Sequence, residues 1–497
     1  MTGRRIDRAS VSHFEPLTPS PGFIFENLKE KAIVLYSLGC TLNGKEVEMK
    51  ERSSFNSKIG FVLAAAASAV GLGNLWRFPY LAAQHGGGSF LLIYIILSVT
   101  FGFTLMVAEI SIGRKTKLSA IGAYKKLNKK FAFEGVLSMI VPMIILPYYA
   151  VINGWVLKYF AAFISGEDKA AAADGYFNAF ISETGEPLVW FLICLAGAGV
   201  VVFLGVTHGI EKSGKILMPV LLVLMVIVVV FVLSRPGSLE GVKYYLVPNV
   251  KNLSFKTFLA AIGQLFYSLS ISMGILISYG SYMSKKHHIE SSVHQIEFFD
   301  TLVAILAGLM IIPAVFTFSG DAALSSGPSL MFVTLPKVFA SMATGRIVGT
   351  VFFLMVFFAA LTSTISLMEA VVSNFIDAFH MKRSTAVVIT LAYCSVLGGL
   401  ASLGYGPLSG VTIFGMHILD FMDFISNSVL MPVVAIITCI FVAFVIKPGA
   451  IIEEVEAEGS VFRGKKVFSF IIKFVAPWFM ILILISSIMQ ALGLFEL

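Results

Sequence analysis

The sequence predicts an all-α polytopic membrane protein with eleven transmembrane helices, organised as two inverted five-helix repeats in which helices 1 and 6 are broken. Hydrophobic residues make up 57% of the chain and charged residues 13%, and the mean hydropathy is +0.88. A chain of this composition must face lipid over most of its surface. Eleven apolar stretches, and interruptions in two of them, supply the rest of the prediction.

Each of the eleven stretches has the length that a helix needs to cross a bilayer, roughly twenty residues. They lie near residues 58–85, 89–113, 134–164, 187–206, 214–234, 255–283, 294–318, 346–379, 384–404, 411–445 and 467–493. Residues 51–497 are expected to form one domain, with the first repeat at about 55–235, the second at about 254–446 and the eleventh helix at about 467–493. The moderately polar segment 319–345 predicts a folded external hairpin or lid.

Residues 1–50 differ in composition from the rest and predict an N-terminal extension. The apolar run 32–40 is too short to cross a bilayer, and no small-residue cleavage site follows it, so a signal peptide is not predicted. The codons for residues 45–48 could form a purine-rich ribosome-binding sequence just before Met49. An alternative start at Met49 would leave the residues before it untranslated.

The net charge of +7 comes from lysines and arginines clustered in short loops, which is typical of membrane orientation and not of a nucleic-acid surface. The loop 114–130 is basic, whereas the loop 166–186 is mostly acidic. The positive-inside rule therefore predicts a cytoplasmic N-terminus and an extracellular or periplasmic C-terminus in the cell (inner) membrane. Cys194, Cys394 and Cys439 lie in apolar stretches and are expected to be reduced packing residues.

The first apolar stretch is interrupted between Ser68 and Asn74, where the sequence becomes small, glycine-bearing and polar at membrane depth. Glycine costs about 1 kcal/mol relative to alanine inside a helix. Carbonyls freed by unwinding need new partners in hydrocarbon, and a bound cation or polar substrate can supply them. We therefore predict a broken helix. The alternative is that Gly71 and Gly73 only allow another helix to approach closely.

The sixth stretch is interrupted between Ser268 and Gly274 by three serines and a glycine. The alternative here is that each serine hydroxyl bonds the carbonyl one turn back in an ordinary helix. Interruptions that lie five stretches apart indicate two five-helix repeats, with a binding site near the bilayer midplane where the half-helices meet. This inference rests on analogy with membrane folds that contain such repeats.

Charged side chains within the apolar stretches require an explanation, because placing one at the centre of a membrane helix raises the free energy of insertion by about 2.5–3.5 kcal/mol. Asp300 would also fit a hydrated helix end, and Asp420 with Asp423 would also fit a structural network with Arg77. The eighth stretch adds hydroxyls and carbonyls that suit a small cation. The charged candidates are Arg77, Glu109, Asp300, Glu369, Asp420 and Asp423.

Together these motifs resemble the neurotransmitter:sodium symporter family, and more closely its eleven-span bacterial Na+-dependent amino acid transporters. The resemblance covers about nine-tenths of the chain and leaves out residues 1–50. It rests on SAVGLGNLWRFPYLAAQHGGGSF from Ser68, GQLFYSLSISMG from Gly263 and ALTSTISLME from Ala360. It implies a secondary transporter and not an enzyme.

The resemblance implies two sodium sites made only of oxygen ligands, as a hard cation prefers. The first would contain the substrate carboxylate with Ala69, Asn74, Ser268 and Asp300. The second would contain the carbonyls of Ala67, Val70 and Ala359 and the hydroxyls of Thr362 and Ser363. The family more often has Thr at Ser268 and Asn at Asp300.

The resemblance also implies a substrate site between the two breaks. The substrate carboxylate would bind the amides near Gly71 to Gly73, the Tyr149 hydroxyl and the first Na+. The substrate residues would be Ala69, Gly71, Gly73, Ile145, Tyr149, Tyr267, Ser268, Ser270, Ser272, Met273, Thr364 and Leu367. In monoamine members an Asp at the position of Gly71 receives the amine, so Gly71 favours an amino acid.

Two gates are implied as well. Arg77 and Asp423 would close the outer side over Tyr267, and Arg52 with Asp377 would close the inner side. The inner aromatic anchor, usually Trp in the family, is Phe55 here.

The expected function is inward symport of Na+ with a hydrophobic or aromatic amino acid by alternating access. The expected partners are this substrate and the lipid bilayer, with no nucleic acid, and the expected assembly is a monomer or homodimer. Chloride is not expected to be required, because Asp300 would supply the charge that chloride supplies in some relatives. Alternatives are an amine or osmolyte as substrate, or a membrane receptor or channel that uses the same pocket.

Overall fold

The computed structural model describes residues 54–318 and 328–491, and most of these residues are helical. Within these ranges there is no β-strand, only an isolated bridge between Ile413 and Met416. The all-α prediction is therefore confirmed for the described part of the chain. The predicted N-terminal extension, Arg52, Cys40 and residues 319–327 lie outside the described residues.

In the described part of the chain, the first half contains eleven α-helices. They are α1 Lys58–Ala69, α2 Phe78–Gln84, α3 Gly88–Leu97, α4 Phe103–Thr116, α5 Ala120–Leu127, α6 Ala132–Ser165, α7 Asp168–Ala171, α8 Tyr176–Ser182, α9 Glu186–Phe203, α10 Lys212–Leu233 and α11 Ser238–Leu246. Wider π-helical turns at Gly73–Arg77, Ser98–Gly102 and Val206–Glu211 lead into α2, α4 and α10.

The second half contains another eleven. They are α12 Phe255–Ser268, α13 Ile275–Tyr282, α14 Ile289–Phe318, α15 Leu335–Ala340, α16 Gly345–Phe379, α17 Arg383–Leu403, α18 Ile418–Asp423, α19 Met431–Ile440, α20 Lys447–Val455, α21 Lys465–Phe470 and α22 Ala476–Ala491. Four π-helical segments join neighbouring helices or extend them: Leu330–Thr334, Phe424–Leu430, Phe441–Val445 and Ile471–Val475.

Nine continuous helical segments in the described part are long and apolar enough to cross a membrane, and the bent pair at the start of the domain makes ten. That pair, Lys58–Ala69 with Gly73–Gln84, bends by 52° at the predicted first break. The predicted sixth stretch is not among the ten because residues 269–274 divide it into α12 and α13, of 14 and 8 residues. The chain is thus a polytopic membrane protein, as its composition requires.

Two predicted boundaries are wrong. The fifth span begins at Val206 and not at 214, because Gly205 in a left-handed conformation (φ 88°) ends the preceding helix and the polar residues that follow are already helical. The tenth span begins at Ile418 and not at 411, because residues 404–417 form turns that include Phe414 with a positive φ of 50°. Hydropathy alone could not locate either boundary, since polar residues open the fifth span and apolar residues continue into the turns before the tenth.

The described part of the predicted outer lid is folded. Leu330–Thr334 and α15 are helical and mostly buried. The Phe332 ring stacks on Phe177 at a centroid distance of 4.9 Å, and the Phe332 carbonyl accepts a hydrogen bond from the Tyr159 hydroxyl at 2.8 Å.

Helices α1, α12 and α13 lie in the interior, where α3, α4, α10, α14 and α16 pack around them. Glycines allow the closest approach: a Cβ on Gly113 of α4 would lie 1.9 Å from the Ile277 carbonyl oxygen, and one on Gly280 of α13 would lie 2.4 Å from that of Ile110. These two helices therefore touch backbone to backbone, as small residues permit in membrane bundles. Cys194, Cys394 and Cys439 are buried and unpaired, as predicted.

A buried arginine connects three segments of the chain through hydrogen bonds. Arg114 is fully buried; its Nε donates to Glu454 Oε1 at 2.7 Å and its Nη1 donates to the His287 carbonyl at 2.7 Å. Its Nη2 also donates to the Glu454 carbonyl. The guanidinium thus joins the end of α4, the loop after α13 and the end of α20, and its charge is matched by the Glu454 carboxylate.

We expect Arg114→Gln to lower the free energy of unfolding by about 3–5 kcal/mol, because it leaves the Glu454 carboxylate buried without a partner. Lys465→Gln is the control, since it removes a half-exposed pair with Glu456 at 3.0 Å, and such pairs contribute about 0–1 kcal/mol. Denaturant or thermal unfolding of the purified protein measures both. Equal, small effects of the two substitutions would contradict a structural role for Arg114.

Candidate functional site

The first break leaves backbone groups that find partners on other helices. Helix α1 ends at Ala69, and Val70 is extended (φ −75°, ψ 105°). The Leu72 amide donates to the Tyr149 hydroxyl at 3.1 Å, and the Gly73 carbonyl accepts from Gln264 Nε2 at 2.8 Å. The break predicted from the sequence is therefore present, and side chains of α6 and α12 replace the missing helical bonds.

The second break, residues 269–274 between α12 and α13, contains three residues with positive φ: Ser270 at 54°, Ser272 at 64° and Gly274 at 66°. The Ser270 hydroxyl donates to the Ser68 carbonyl at 3.1 Å, and the Ser272 amide donates to Glu109 Oε1 at 2.7 Å. The ordinary-helix alternative for these serines is wrong. The Ser270–Ser68 bond also connects the two breaks directly.

A small cavity lies between the breaks. Ten of the twelve predicted substrate residues line it: Ala69, Gly71, Gly73, Ile145, Tyr149, Tyr267, Ser268, Ser270, Met273 and Leu367. Ser272 and Thr364 do not, and the prediction that they contact the substrate is not supported by this geometry. The Ser272 amide is held by Glu109, which lies away from the cavity, and the Thr364 hydroxyl donates to the Ala360 carbonyl at 2.8 Å.

The first break gives this cavity its shape at Gly71 and Gly73. A Cβ on Gly71 would lie 2.7 Å from both the Tyr149 hydroxyl and Ser363 Oγ, and one on Gly73 would lie 2.8 Å from the Tyr267 ring. Real side chains do not come so close, so only glycine fits without displacing the residues that line the cavity.

Three of the residues predicted for the first sodium site meet in one buried cluster. Asp300 Oδ1 accepts from Asn74 Nδ2 at 2.7 Å and from Ser268 Oγ at 2.8 Å. Its second oxygen, Oδ2, accepts from the Tyr94 hydroxyl at 2.8 Å. Ala69 lines the adjacent cavity. Asp300 is fully buried, which excludes the hydrated helix end as an explanation for its charge.

The residues predicted for the second sodium site approach one another where α16 passes α1. Ser363 Oγ lies 3.1 Å from the Ser68 carbonyl and 3.3 Å from the Val70 carbonyl. Thr362 Oγ1 lies 2.9 Å from the Ala359 carbonyl. Ala67 is buried one residue before Ser68. These groups are all oxygens, and carbonyls at a helix break have unused lone pairs, so the donor set suits a hard cation.

The family model that matches this chain is the sodium:neurotransmitter symporter family, over residues 52–171 and 174–494. The chain belongs to this family. Members couple transport to sodium, so the protein is a sodium-dependent membrane transporter and not an enzyme.

Relatives and a solved structure agree with this assignment. An uncharacterized sodium-dependent transporter of Bacillus subtilis is 34% identical, covering 87% of this chain and 97% of the relative, and one of Haemophilus influenzae is 31% identical, covering 88% and 99%. A crystal structure of MhsT in complex with L-phenylalanine is 37% identical with a TM-score of 0.79, covering 88% of this chain and all of that one. A sodium-dependent neutral amino acid transporter of Pongo abelii is 31% identical over 54% of this symporter chain and 41% of its own length.

The residues predicted for the outer gate lie near one another without an ion pair. The Arg77 guanidinium carbon is 5.3 Å from the centre of the Tyr267 ring. Asp423 Oδ1 accepts from Asn427 Nδ2 at 2.6 Å, and Asp420 Oδ1 accepts from the Tyr405 hydroxyl at 2.8 Å. Asp420 and Asp423 thus form hydrogen bonds with neighbouring side chains and not with Arg77. The alternative of a structural network with Arg77 is not supported by these contacts.

At the inner gate, Asp377 Oδ2 accepts from the Ser119 amide at 2.6 Å, while Arg52 lies outside the described residues. Phe55 is buried against Tyr279 and Tyr282.

Sequence reasoning left several residues without a role. Glu369 pairs with Arg383 and accepts from the Tyr282 hydroxyl at 2.8 Å. Gln264 and Glu109 hold backbone groups of the two breaks, and Tyr94 donates to Asp300. A polar residue in an apolar stretch was the available signal for Glu109 and Glu369, but the partners lie far away in sequence and only the fold identifies them.

We expect Gly71→Ala to weaken binding of the transported substrate at least tenfold, a loss of about 1.4 kcal/mol, because the added methyl displaces Tyr149 and Ser363. Gly263→Ala is the matched control, since a Cβ there meets nothing within 4 Å. Equilibrium binding to the purified variants measures the effect. Unchanged affinity in Gly71→Ala would mean that the cavity beside Gly71 is not the substrate site.

Proposed function

We propose that this symporter carries a hydrophobic or aromatic amino acid into the cell together with Na+. The observation that carries the proposal is the cavity between the two helix breaks. It combines a hydroxyl (Tyr149) and backbone near Gly71 with the apolar side chains Ile145, Met273 and Leu367. Such a lining suits a substrate with a carboxylate at one end and an apolar side chain at the other.

The comparisons support an amino acid over an amine. Gly71 leaves room for a substrate carboxylate and offers no carboxylate for an amine to bind. MhsT, whose crystal structure contains L-phenylalanine, and the neutral amino acid transporters named among the relatives have substrates of the proposed class. Met273 is flexible and adapts to differently shaped side chains.

Two Na+ ions are the proposed co-substrates. Asn74, Ser268 and Asp300, with the Ala69 carbonyl and the substrate carboxylate, would bind the first ion. The carbonyls of Ala67, Val70 and Ala359 and the hydroxyls of Thr362 and Ser363 would bind the second. Because both groups connect a broken span to a continuous one, ion binding would hold these elements together and favour one conformation of the bundle.

The proposed architecture has eleven spans in two inverted repeats, with α12 and α13 as the two halves of the sixth span. The N-terminus would be cytoplasmic and the C-terminus extracellular or periplasmic. Alternating access would then open and close the cavity through Arg77, Tyr267 and Asp423 on the outer side and through Arg52, Asp377 and Phe55 on the inner side.

We expect purified protein in proteoliposomes to accumulate L-phenylalanine when an inward Na+ gradient is imposed. Leucine, tyrosine and tryptophan should compete, whereas glycine, proline and charged amino acids should compete poorly, since they do not fill the apolar lining. A preference for an amine or osmolyte would favour the second candidate substrate class. Binding without any uptake would instead favour a receptor.

The surroundings of Asp300 support transport that needs no chloride. Its carboxylate lies between the Asn74–Ser268 pair and Tyr94, and it forms no ion pair with a cationic side chain in the described part of the chain. A buried ion without compensation costs several kcal/mol. Asp300 would therefore supply within the protein the negative charge that an entering Na+ needs.

We expect wild-type uptake to be unchanged when gluconate replaces chloride. Asp300→Asn should reduce uptake and lower the apparent Na+ affinity, and chloride should partly restore it, because an anion then has to supply the missing charge. Uptake measured at several Na+ concentrations in both salts checks this. Wild-type uptake that collapses without chloride would refute the proposed role of Asp300.

A further inference from the structure

Two buried carboxyl groups lie outside the substrate cavity and belong to neither proposed sodium site. Glu109 of α4 is 1% exposed, and Glu134 in the first turn of α6 is fully buried. In the part of the chain that the structure describes, neither takes part in an ion pair. They therefore differ from Glu454 and Glu369, which pair with Arg114 and Arg383.

Each of the two carboxyl groups uses only one of its oxygens. Glu109 Oε1 accepts from the Ser272 amide at 2.7 Å, and Glu134 Oε1 accepts from the Thr438 hydroxyl at 3.1 Å. Thr438 Oγ1 also lies 2.7 Å from the Tyr124 hydroxyl. The second oxygen of each carboxyl group, Oε2, is buried and has no hydrogen-bond partner.

The two groups belong to one cluster beside the α12–α13 break. They are close enough to interact electrostatically, and the titratable side chains that face both are Tyr124 and Cys439. The hydroxyls of Ser138, one turn after Glu134, and of Ser272 are also buried and without a partner. A Cβ on Gly274 would lie 3.0 Å from the Ser138 carbonyl oxygen, so α6 packs against the break here.

All four unpartnered atoms are oxygens, and two of them belong to groups that are negative when ionised. Water could satisfy their hydrogen bonds but could not remove the charge. Two uncompensated carboxylates in a buried site would cost several kcal/mol each, so a positive charge is needed. We propose that Glu109 and Glu134 together bind a monovalent cation, a proton or Na+, at a third site that is separate from the substrate cavity.

This site would act on the break itself. The Ser272 amide that Glu109 holds belongs to a residue with φ 64°, a conformation that serine adopts only under constraint. A carboxylate accepts a hydrogen bond more strongly than a neutral acid does. The charge on Glu109, and hence the presence of the cation, would therefore set how firmly the break is held.

Thermal unfolding of the purified full-length protein tests the proposal without any transport assay, so its outcome does not depend on the proposed substrate. In Na+-free choline buffer, raising the pH removes protons and leaves the charges uncompensated. We expect the wild-type Tm to fall with rising pH, and the slope to be reduced by at least half in Glu134→Gln and in Glu109→Gln. Glutamine at 109 keeps an oxygen that can accept from the Ser272 amide. Glu240→Gln, at an exposed position, is the control and should keep the wild-type slope.

The same variants identify the cation. If Na+ binds the pair, adding Na+ at alkaline pH should raise the Tm of the wild type more than that of Glu134→Gln. If Na+ raises both Tm values equally while the two proteins still differ in pH slope, the bound cation is the proton. Both proteins keep the two proposed sodium sites, so the effect of these sites cancels when the Na+-induced Tm shift of the variant is subtracted from that of the wild type. Should Glu134→Gln fail to fold, Glu109→Gln and the charge-conserving Glu134→Asp, expected to keep the slope, serve in its place. Folded glutamine variants with the wild-type pH slope and Na+ response would overturn the proposal.

Discussion

Backbone hydrogen bonding across the two helix breaks is the constraint on which the rest of this structure depends. A bilayer offers no water to groups that leave a helix, so each freed amide and carbonyl needs a partner from the protein. Tyr149 binds the Leu72 amide, Gln264 binds the Gly73 carbonyl and Glu109 binds the Ser272 amide. Every one of these partners lies on another helix. The breaks therefore fix which helices must surround them.

The same requirement accounts for placing the proposed binding site at the breaks. Replacement bonds use only part of the capacity of a carbonyl, because each carbonyl oxygen has two lone pairs. Ser68 accepts from both Ser270 and Ser363, and Val70 accepts from Ser363 at the long distance of 3.3 Å. A cation that binds such oxygens has to displace only weak hydrogen bonds from side chains, and not the regular backbone hydrogen bonds of a helix. In the proposed mechanism, ions can therefore move the breaks at a modest cost in free energy.

The sequence was sufficient to predict the breaks, because small and polar residues at membrane depth are a local signal that tertiary contacts do not obscure. The residues of the cavity were implied by the resemblance to the family. The sequence was insufficient where the answer depends on long-range packing. Glu109 and Ser272 are 163 residues apart and could not be paired from the sequence. Nor could Ser272 and Thr364 be excluded from the cavity, since positive φ at Ser272 and a hydroxyl bonded to its own helix are visible only in the fold. Boundaries failed where left-handed residues, as at Gly205, end a helix inside an apolar run.

Buried acids divide into two groups according to how their charge is compensated. Glu454 and Glu369 have fixed arginine partners, Arg114 and Arg383. Asp300, Glu109 and Glu134 form no such pair in the described residues, and the first two make hydrogen bonds to residues at a break: Asp300 to Asn74 and Ser268, Glu109 to Ser272. A fixed pair stabilises one arrangement permanently, whereas an acid without a fixed partner depends on a mobile cation. If the mobile cation leaves, the negative charge of the acid beside the break is no longer neutralised. The free energy of the buried site rises, and the local conformation must change. In the proposed mechanism, ion gradients would drive a backbone rearrangement in this way, which would account for the position of Asp300 and Glu109 next to the breaks.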